Sequence, residues 1–205
     1  MSLRLNIGAG RTYIPEFTNI DRSPRADVSL DLNRDRLPFD DASVDLVFTY
    51  HALEHLENYL FALGEIHRVL KRGAPLLIGV PYVTLTEYNL VNPYHRQHFN
   101  EFAFDFFDPQ KLKGSAVEAN DILFAKDFHR FHYLEEFADA TPARKEWARR
   151  HLFNVVSRID FGLSTLKAPD LAPPGVSSSQ SLIRRFDECL DARVPYEQVE
   201  AATSG

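Results

Sequence analysis

Short apolar runs alternate with turn residues through the first part of the chain. Residues 3–7, 44–49 and 76–80 are rich in leucine, isoleucine and valine, and each run stops at glycine, proline or a polar residue. Runs of this length and composition are typical of buried parallel strands. Residues 52–72 instead repeat apolar side chains every three or four positions, which predicts a helix that ends at the following glycine. Strands alternating with a helical connection predict an α/β fold.

The second half of the chain predicts fewer and weaker elements. Thr141 followed by Pro142 is typical of a helix start, because threonine caps the first turn and proline fits its first position. The predicted elements are an aromatic helix at 101–107 with Asn100 as N-cap, a strand at 118–128, a helix from 142 through 156, a last strand at 159–166 and an amphipathic helix at 181–193. Proline and serine in residues 169–179 predict a linker, which leaves the last helix outside the core fold.

Two glycines follow the first predicted strand and predict a ligand-binding turn. Gly8 and Gly10 have no Cβ, so the backbone can turn sharply and a ligand can lie directly against it. Asp21 ends the next apolar segment, roughly where a ribose-binding carboxylate lies in dinucleotide-type folds. A carboxylate accepts two hydrogen bonds from a vicinal diol. The alternative is a turn aspartate that solvates the bend after it.

The ordered motifs of residues 3–82 resemble the small class I methyltransferases that use S-adenosylmethionine. The resemblance is carried by residues 28–33, 37–56 and 65–81 together with the glycine turn. It implies a doubly wound, mostly parallel seven-stranded Rossmann-like sheet with a substrate-side insert and a C-terminal appendage. It also implies S-adenosylmethionine as the cofactor. The residues matched to cofactor binding are Asn6, Gly8, Ala9, Gly10, Asp21, Asp31, Leu32 and Tyr50. Asp31 also fits the alternative role of capping a turn.

The chain departs from this family between Gly10 and Asp21. The interval has room for a loop but hardly for a helix, because a stable helix there needs roughly 10 residues. Pro15 also lies in the middle of the interval, where a proline would interrupt a helix. We therefore expect a shortened first crossover. The shortened turn and the stretch at 92–100 resemble bacterial methyltransferases of glycan and cell-envelope pathways. The overall pattern is also similar to the mycobacterial 1-O-methyltransferases that act on methylated mannosides.

The resemblance implies one methyltransferase domain over residues 1–168, with an insert at about 83–115. Residues 169–205 would then form the linker with a C-terminal helix and tail. By topology the insert lies over the carboxyl edge of the sheet, where ligands bind in open α/β folds.

Methyl transfer to a hydroxyl needs a group that takes the proton, and histidine is the simplest base near neutral pH. The candidate catalytic residues are His51, His95 and His98. The candidate substrate-binding residues are Glu54, Tyr82, Tyr94, Arg96 and Phe99. In the alternative interpretation the insert histidines only pin the insert by hydrogen bonds, and Glu54 and His55 belong to a solvated helix start.

A divalent metal is not favoured by the sequence. His95 and His98 with Asp105 or Glu101 would supply nitrogen and oxygen ligands. Magnesium, which some sugar methyltransferases of other families use, prefers oxygen ligands. No dedicated acidic cluster occurs in this stretch.

The predicted function is O-methylation of a sugar or oligosaccharide hydroxyl. One rival is a small-metabolite O- or N-methyltransferase, since N-methylation has less need of a histidine base. The other rival is a non-catalytic scaffold with the methyltransferase fold, which the shortened first motif keeps open. Polar groups at Asp21, Asp31 and 95–98 argue against the scaffold, because a scaffold has no reason to keep them at a ligand edge.

Composition limits the partners. A net charge of -6 over 205 residues argues against a nucleic-acid backbone as the main partner. The single cysteine, Cys189, excludes an internal disulfide and fits a reducing compartment. With no apolar run of membrane-spanning length, we expect a cytoplasmic protein that makes no membrane contact. A homodimer through the aromatic insert or the C-terminal helix stays open.

Overall fold

The computed structural model describes residues 2–111, 121–168 and 178–203 of the chain. The strands are β1 (Arg4–Ile7), β2 (Thr12–Tyr13), β3 (Thr18–Asp21), β4 (Val28–Ser29), β5 (Leu46–Tyr50), β6 (Pro75–Pro81), β7 (Phe124–Tyr133), β8 (Val156–Thr165) and β9 (Val194–Pro195). The helices are α1 (Tyr59–Val69), α2 (Glu135–Ala138), α3 (Pro142–His151), α4 (Ser179–Asp191) and α5 (Tyr196–Thr203). The start of the strand expected at 118–128 and most of the expected linker lie outside the described residues.

Seven strands form one sheet in the order β4-β3-β1-β5-β6-β8-β7. The strands from β4 to β6 in this order are parallel, and β8 runs antiparallel between β6 and β7. Every residue of β6 is buried, which explains why its sequence is a continuous apolar run. The predicted mostly parallel seven-stranded sheet is confirmed. Outside it, β2 pairs only with β9.

The helix expected at 52–72 is shorter than predicted. A single 3-10 turn occupies Leu53–His55, Leu56 is extended, and α1 begins only at Tyr59. The side-chain oxygen of Asn33 accepts the backbone N–H groups of Glu57 and Asn58, at 2.9 and 3.0 Å, and so holds the two residues that precede α1. The apolar spacing continues through the 3-10 turn because Leu53 and Leu56 are buried there too.

The first crossover contains no helix, as the short interval predicts. The chain passes from β1 to β3 through β2, which leaves one face of the sheet without the usual covering helix. Helix α4 covers this face. Its buried Leu182 and Phe186 pack in one cluster with Phe48 of β5 and Leu77 of β6, and the rings of Phe48 and Phe186 meet edge to face at 5.4 Å.

The expectation that the C-terminal helix lies outside the core fold is therefore wrong. An amphipathic pattern reports that a helix has an apolar face, but it does not report which surface that face covers. Helix α1 covers the opposite face of the sheet with Leu63 and Ile66.

The insert packs on the core through aromatic rings. Phe104 lies against Phe99 and against Phe161 of β8, with centroids 5.9 and 4.8 Å apart. The aromatic helix expected at 101–107 is wrong: only a 3-10 turn at Asp105–Phe107 forms. The expected helix from 142 ends at His151, because Leu152 is extended. Among the described residues, no helix combines the length and apolar character that a bilayer crossing requires.

Truncating Phe186 tests whether α4 belongs to the core. We expect Phe186→Ala to lower the free energy of unfolding by about 3–5 kcal/mol, because a buried ring is replaced by a cavity. Phe153→Ala is the matched control, since that ring is 62% exposed. The measurement is urea denaturation of both variants. Equal, small losses in the two variants would contradict the placement of α4.

Candidate functional site

The turn between β1 and β3 is built around Gly8 and Gly10. Both residues have positive φ, +71° and +63°, a conformation that glycine adopts without strain. A Cβ on Gly8 would lie 2.2 Å from the Cβ of Ala52, so no larger residue fits there. The backbone N–H groups of Gly8 and Ala9 both donate to the carbonyl of Ile20, at 2.8 and 3.0 Å. The turn is thereby held against the end of β3.

Asp21, the last residue of β3, ties the same turn from its other side. Its Oδ2 accepts the backbone N–H of Gly10 and its Oδ1 accepts that of Ser23, both at 2.9 Å. A carboxylate has about four acceptor positions, so these two bonds leave lone pairs for a ligand.

A cleft of about 650 Å³ opens beside this turn, at the carboxyl ends of the parallel strands. We call it the glycine-turn cleft. The predicted cofactor residues that line it are Gly8, Gly10, Asp21, Asp31 and Leu32. The backbone N–H of Asn33 donates to the Asp31 carboxylate. This hydrogen bond is the main reason why the pKa of Asp31 is lowered. Asp21, Asp31 and the mostly buried Leu32 therefore line the same cleft.

Three residues predicted to bind the cofactor do not line this cleft. Asn6 is buried, and its side-chain amide donates to Asn19 at 2.9 Å, which links β1 to β3. Ala9 is 2% exposed. Tyr50 lies in a second pocket, next to the cleft.

This second pocket, of about 430 Å³, is the histidine pocket. Its lining includes His51, Glu54, His55, Tyr88, His95 and Arg158. His51 and His55 line both the histidine pocket and the glycine-turn cleft. The two cavities therefore share a wall made of these two side chains.

His51 follows β5 directly and adopts a strained backbone. Its φ is +53°, a conformation that a non-glycine residue adopts at a cost of about 1–3 kcal/mol and that clusters at functional sites. Its backbone N–H donates to the carbonyl of Gly79 at 2.8 Å. Its ring Nδ1 lies 3.1 Å from Oε1 of Glu54. The carboxylate accepts, so Nδ1 carries the proton and Nε2 keeps a lone pair.

Glu54 is the buried acid of this site. It is 1% exposed, and within the described part of the chain its Oε2 has no hydrogen-bond partner. The alternative that places Glu54 on a solvated helix start is wrong, because α1 begins later. The backbone carbonyl of Glu54 accepts the N–H groups of Arg96 and Gln97, at 2.7 and 3.0 Å. The insert is thus attached to the same residue that contacts His51.

His55 and His95 come together from the turn and the insert. Their ring centroids are 4.7 Å apart. Nδ1 of His95 lies 2.9 Å from Oδ1 of Asn89, and Nδ1 of His55 lies 3.3 Å from the carbonyl of Tyr94. Burial lowers the pKa of His95, which favours its neutral form.

Several predicted site residues lie elsewhere. His98 is exposed and lines neither cavity. Tyr82 is buried, with its hydroxyl donating to Glu101 at 2.8 Å, and Phe99 is a core residue. Tyr94 and Arg96 line the glycine-turn cleft, not the histidine pocket.

The metal-ligand set considered in the sequence is not assembled. Glu101 pairs with Arg149 and Tyr82, and Asp105 pairs with Lys126. Neither acid is grouped with His95, because their ion pairs hold them in the aromatic part of the insert.

Arg158 is a pocket residue that sequence reasoning missed. It lies on β8 opposite Pro81 of β6. The fully buried Asp160 holds its guanidinium at 2.8 Å, and the guanidinium donates to the hydroxyl of Tyr50 at 2.6 Å. No local pattern marks it, because its place depends on the register of an antiparallel strand far along the chain.

Segments of the chain are similar to known methyltransferases. A family model described as a methyltransferase domain matches residues 12–78. A demethylmenaquinone methyltransferase of Staphylococcus epidermidis is 34% identical over 108 aligned positions, covering 42% of this chain and 45% of that protein. A probable S-adenosylmethionine-dependent methyltransferase of Mycolicibacterium smegmatis is 34% identical over 82 positions, covering 38% of this chain and 32% of that protein.

A solved structure extends the similarity beyond the matched segments. The S-adenosylmethionine-dependent methyltransferase from Archaeoglobus fulgidus matches with a TM-score of 0.59 at 17% identity, over 80% of this chain and 86% of that one. The chain therefore has the Rossmann-like methyltransferase fold, with its mostly parallel seven-stranded sheet. It spans less than half of the length of the two curated relatives.

The glycine-turn cleft fits S-adenosylmethionine, the cofactor on which the similar proteins from Mycolicibacterium smegmatis and Archaeoglobus fulgidus depend. The missing Cβ of Gly8 lets Ala52 pack against the turn, and a Cβ on Gly10 would meet only the carbonyl oxygen of Gly8, at 4.0 Å. Asp21 offers hydrogen-bond acceptors for the vicinal diol of the ribose. The charged Asp31 offers a polar contact to the adenine, and Leu32 offers an apolar one. These residues would hold the cofactor.

Asp21→Ala tests the cofactor site. We expect S-adenosylhomocysteine to bind at least about tenfold more weakly, since each hydrogen bond to a charged group contributes about 1.5–3 kcal/mol. Isothermal titration calorimetry measures the affinity. Asp191→Ala, an exposed acid of α4, is the control and should bind like the unaltered chain. Undiminished binding by Asp21→Ala would exclude the proposed ribose contact.

Proposed function

We propose that this protein transfers a methyl group from S-adenosylmethionine to a hydroxyl of a sugar or oligosaccharide, with His51 as the general base. The observation that carries the proposal is the position of His51. Its side chain lines both the glycine-turn cleft and the histidine pocket, with its Nδ1 held by Glu54. Bound S-adenosylmethionine supplies the activated methyl group.

The two cavities support a division of roles. Gly8, Gly10 and Asp21 hold the cofactor in the glycine-turn cleft, with Asp31 and Leu32 beside the adenine. The acceptor lies in the histidine pocket, across the wall formed by His51 and His55. Methyl transfer needs donor and acceptor in line and about 3 Å apart, so a shared wall between two cavities is a suitable place for it.

The contact between His51 and Glu54 supports proton transfer. Because Glu54 accepts from Nδ1, the lone pair of His51 is on Nε2, where it can take a proton from an acceptor hydroxyl. The imidazolium that forms is then stabilised by a buried carboxylate, the same pairing that serves histidine bases in hydrolases. A scaffold without catalysis has no use for a strained histidine beside a buried acid, so this pair argues against that rival.

The lining of the histidine pocket favours a polar acceptor with apolar faces. Tyr50 and Tyr88 supply rings, while Asn92, Ser157 and Arg158 supply donors and acceptors. Sugar rings have this mixed character, with hydroxyl edges and C–H faces. A base is needed for a hydroxyl acceptor more than for an amine, which favours O-methylation over N-methylation.

The second candidate function is methylation of a small metabolite that is not a sugar. The curated relative named as a demethylmenaquinone methyltransferase favours it. In both functions His95 borders the acceptor.

The exposed rings of Tyr88 and Phe102 on the insert support contact with a partner, such as a second copy of the chain.

Activity of the His51→Ala variant tests the proposal. We expect turnover of a saccharide acceptor, found by screening a panel for S-adenosylhomocysteine release, to fall by about 10²–10⁴-fold because general base catalysis is lost. Cofactor affinity, measured by calorimetry, should stay within about twofold of the unaltered value, since a base adds little to ground-state binding. His151→Ala, an exposed histidine of α3, is the control.

Two results would contradict the proposal. Unchanged turnover in His51→Ala would exclude His51 as the base. Turnover of amines or quinols with no saccharide accepted would favour the second candidate function.

A further inference from the structure

Three side chains beside His51 each offer one metal-ligating atom. One carboxylate oxygen of Glu54 and one ring nitrogen from each of His55 and His95 lie within 4.8 Å of one another. Glu54 and His55 belong to the 3-10 turn after β5, and His95 belongs to the insert. We propose that Glu54, His55 and His95 form a binding site for one divalent first-row transition-metal ion.

The buried carboxylate of Glu54 lacks one partner that a cation would supply. Its Oε1 accepts from His51, while its Oε2 is inaccessible and is not hydrogen-bonded to any described residue. A buried charged oxygen without a partner is costly, and the great majority of such atoms in folded proteins are satisfied. Glu54 nevertheless contributes to the wall of the histidine pocket together with both histidines. A cation between the three groups would satisfy Oε2.

The hydrogen bonds of His95 leave its Nε2 free to ligate. Asn89 is 1% exposed, and its side-chain NH₂ donates to the carbonyl of Tyr82 at 3.2 Å. This bond orients the amide so that Oδ1 faces the Nδ1 of His95 at 2.9 Å. An amide oxygen only accepts, so His95 carries its proton on Nδ1 and a lone pair on Nε2.

His55 has the same arrangement. Its Nδ1 faces the carbonyl oxygen of Tyr94, which again only accepts. Metal-ligating histidines usually donate their other ring N–H to a carbonyl or carboxylate in this way, because the bond fixes the ring and raises its basicity. Both imidazoles are therefore oriented as ligands before any ion binds.

The donor set indicates which ions fit. Two imidazole nitrogens and one carboxylate oxygen suit zinc, iron, nickel or cobalt, whereas magnesium prefers oxygen ligands and keeps its waters. Three protein ligands would leave open positions on the ion, and all three of these residues line the histidine pocket. Binding of an acceptor oxygen at these positions rests on the proposed function, but the metal site itself does not.

Cobalt(II) is the probe that tests the site. We expect the unaltered chain to bind one Co²⁺ per molecule, seen as a saturable visible absorption band and as a matching calorimetric titration. His55→Ala and His95→Ala should each bind Co²⁺ at least about tenfold more weakly. Removing a metal ligand should lower the metal affinity at least as much as removing a side chain that only hydrogen-bonds to a ligand. His55 is exposed, so its variant should keep the fold, which the melting temperature checks.

His151→Ala is the matched control. Its Nδ1 also contacts a carbonyl, that of Trp147, at 2.7 Å, but His151 belongs to no such three-ligand group in the described chain. Its cobalt affinity should equal that of the unaltered protein.

Two outcomes would overturn the proposal: no saturable one-to-one binding by the unaltered chain, or equal binding by His55→Ala. The titration contains neither cofactor nor acceptor, so its outcome is independent of whether sugars are methylated.

Discussion

The carboxylate of Glu54 is the interaction on which the arrangement of the site depends. It is buried at the carboxyl edge of the sheet, where its Oε1 orients the ring of His51. The backbone carbonyl of the same residue accepts two N–H groups from the insert and so sets how the insert approaches the sheet. Glu54 therefore contacts both His51 and the insert at the wall between the two cavities.

The 3-10 turn that carries Glu54 is placed by its contact with the glycine turn. Ala52 occupies the space that a Cβ on Gly8 would need, so the loops after β1 and β5 pack directly against each other. Sheets of this topology bind ligands where the strand order reverses, between the first strand and its neighbours. Here β1 lies between β3 and β5, and the glycine-turn cleft opens at their ends.

The missing first-crossover helix has a structural consequence at the other end of the chain. Without it, Phe48 and Leu77 would face water, and α4 buries them instead. The packing is close: a Cβ on Gly79 of β6 would meet the ring of Tyr50 at 2.6 Å and that of Phe186 at 3.1 Å. The C-terminal helix thus supports the strand ends that carry Tyr50 and His51.

The structural features that depend on local patterns could be predicted from the sequence. Apolar runs bounded by turn residues identified the parallel strands, and the short interval before Asp21 predicted a crossover without a helix. The surface that α4 covers could not be predicted, because an amphipathic helix fits any apolar face. The pairing of His55 with His95 and the position of Arg158 could not be predicted from the sequence either, because each depends on how distant segments meet in three dimensions.

We propose that the glycine-turn cleft holds the cofactor and presents it to His51. A crystal structure with S-adenosylhomocysteine bound is the decisive measurement. We expect the ligand in that cleft, with its ribose hydroxyls within about 3.2 Å of the Asp21 carboxylate and its sulfur at the wall formed by His51 and His55. A ligand bound in another cavity, or with its sulfur turned away from this wall, would exclude this arrangement.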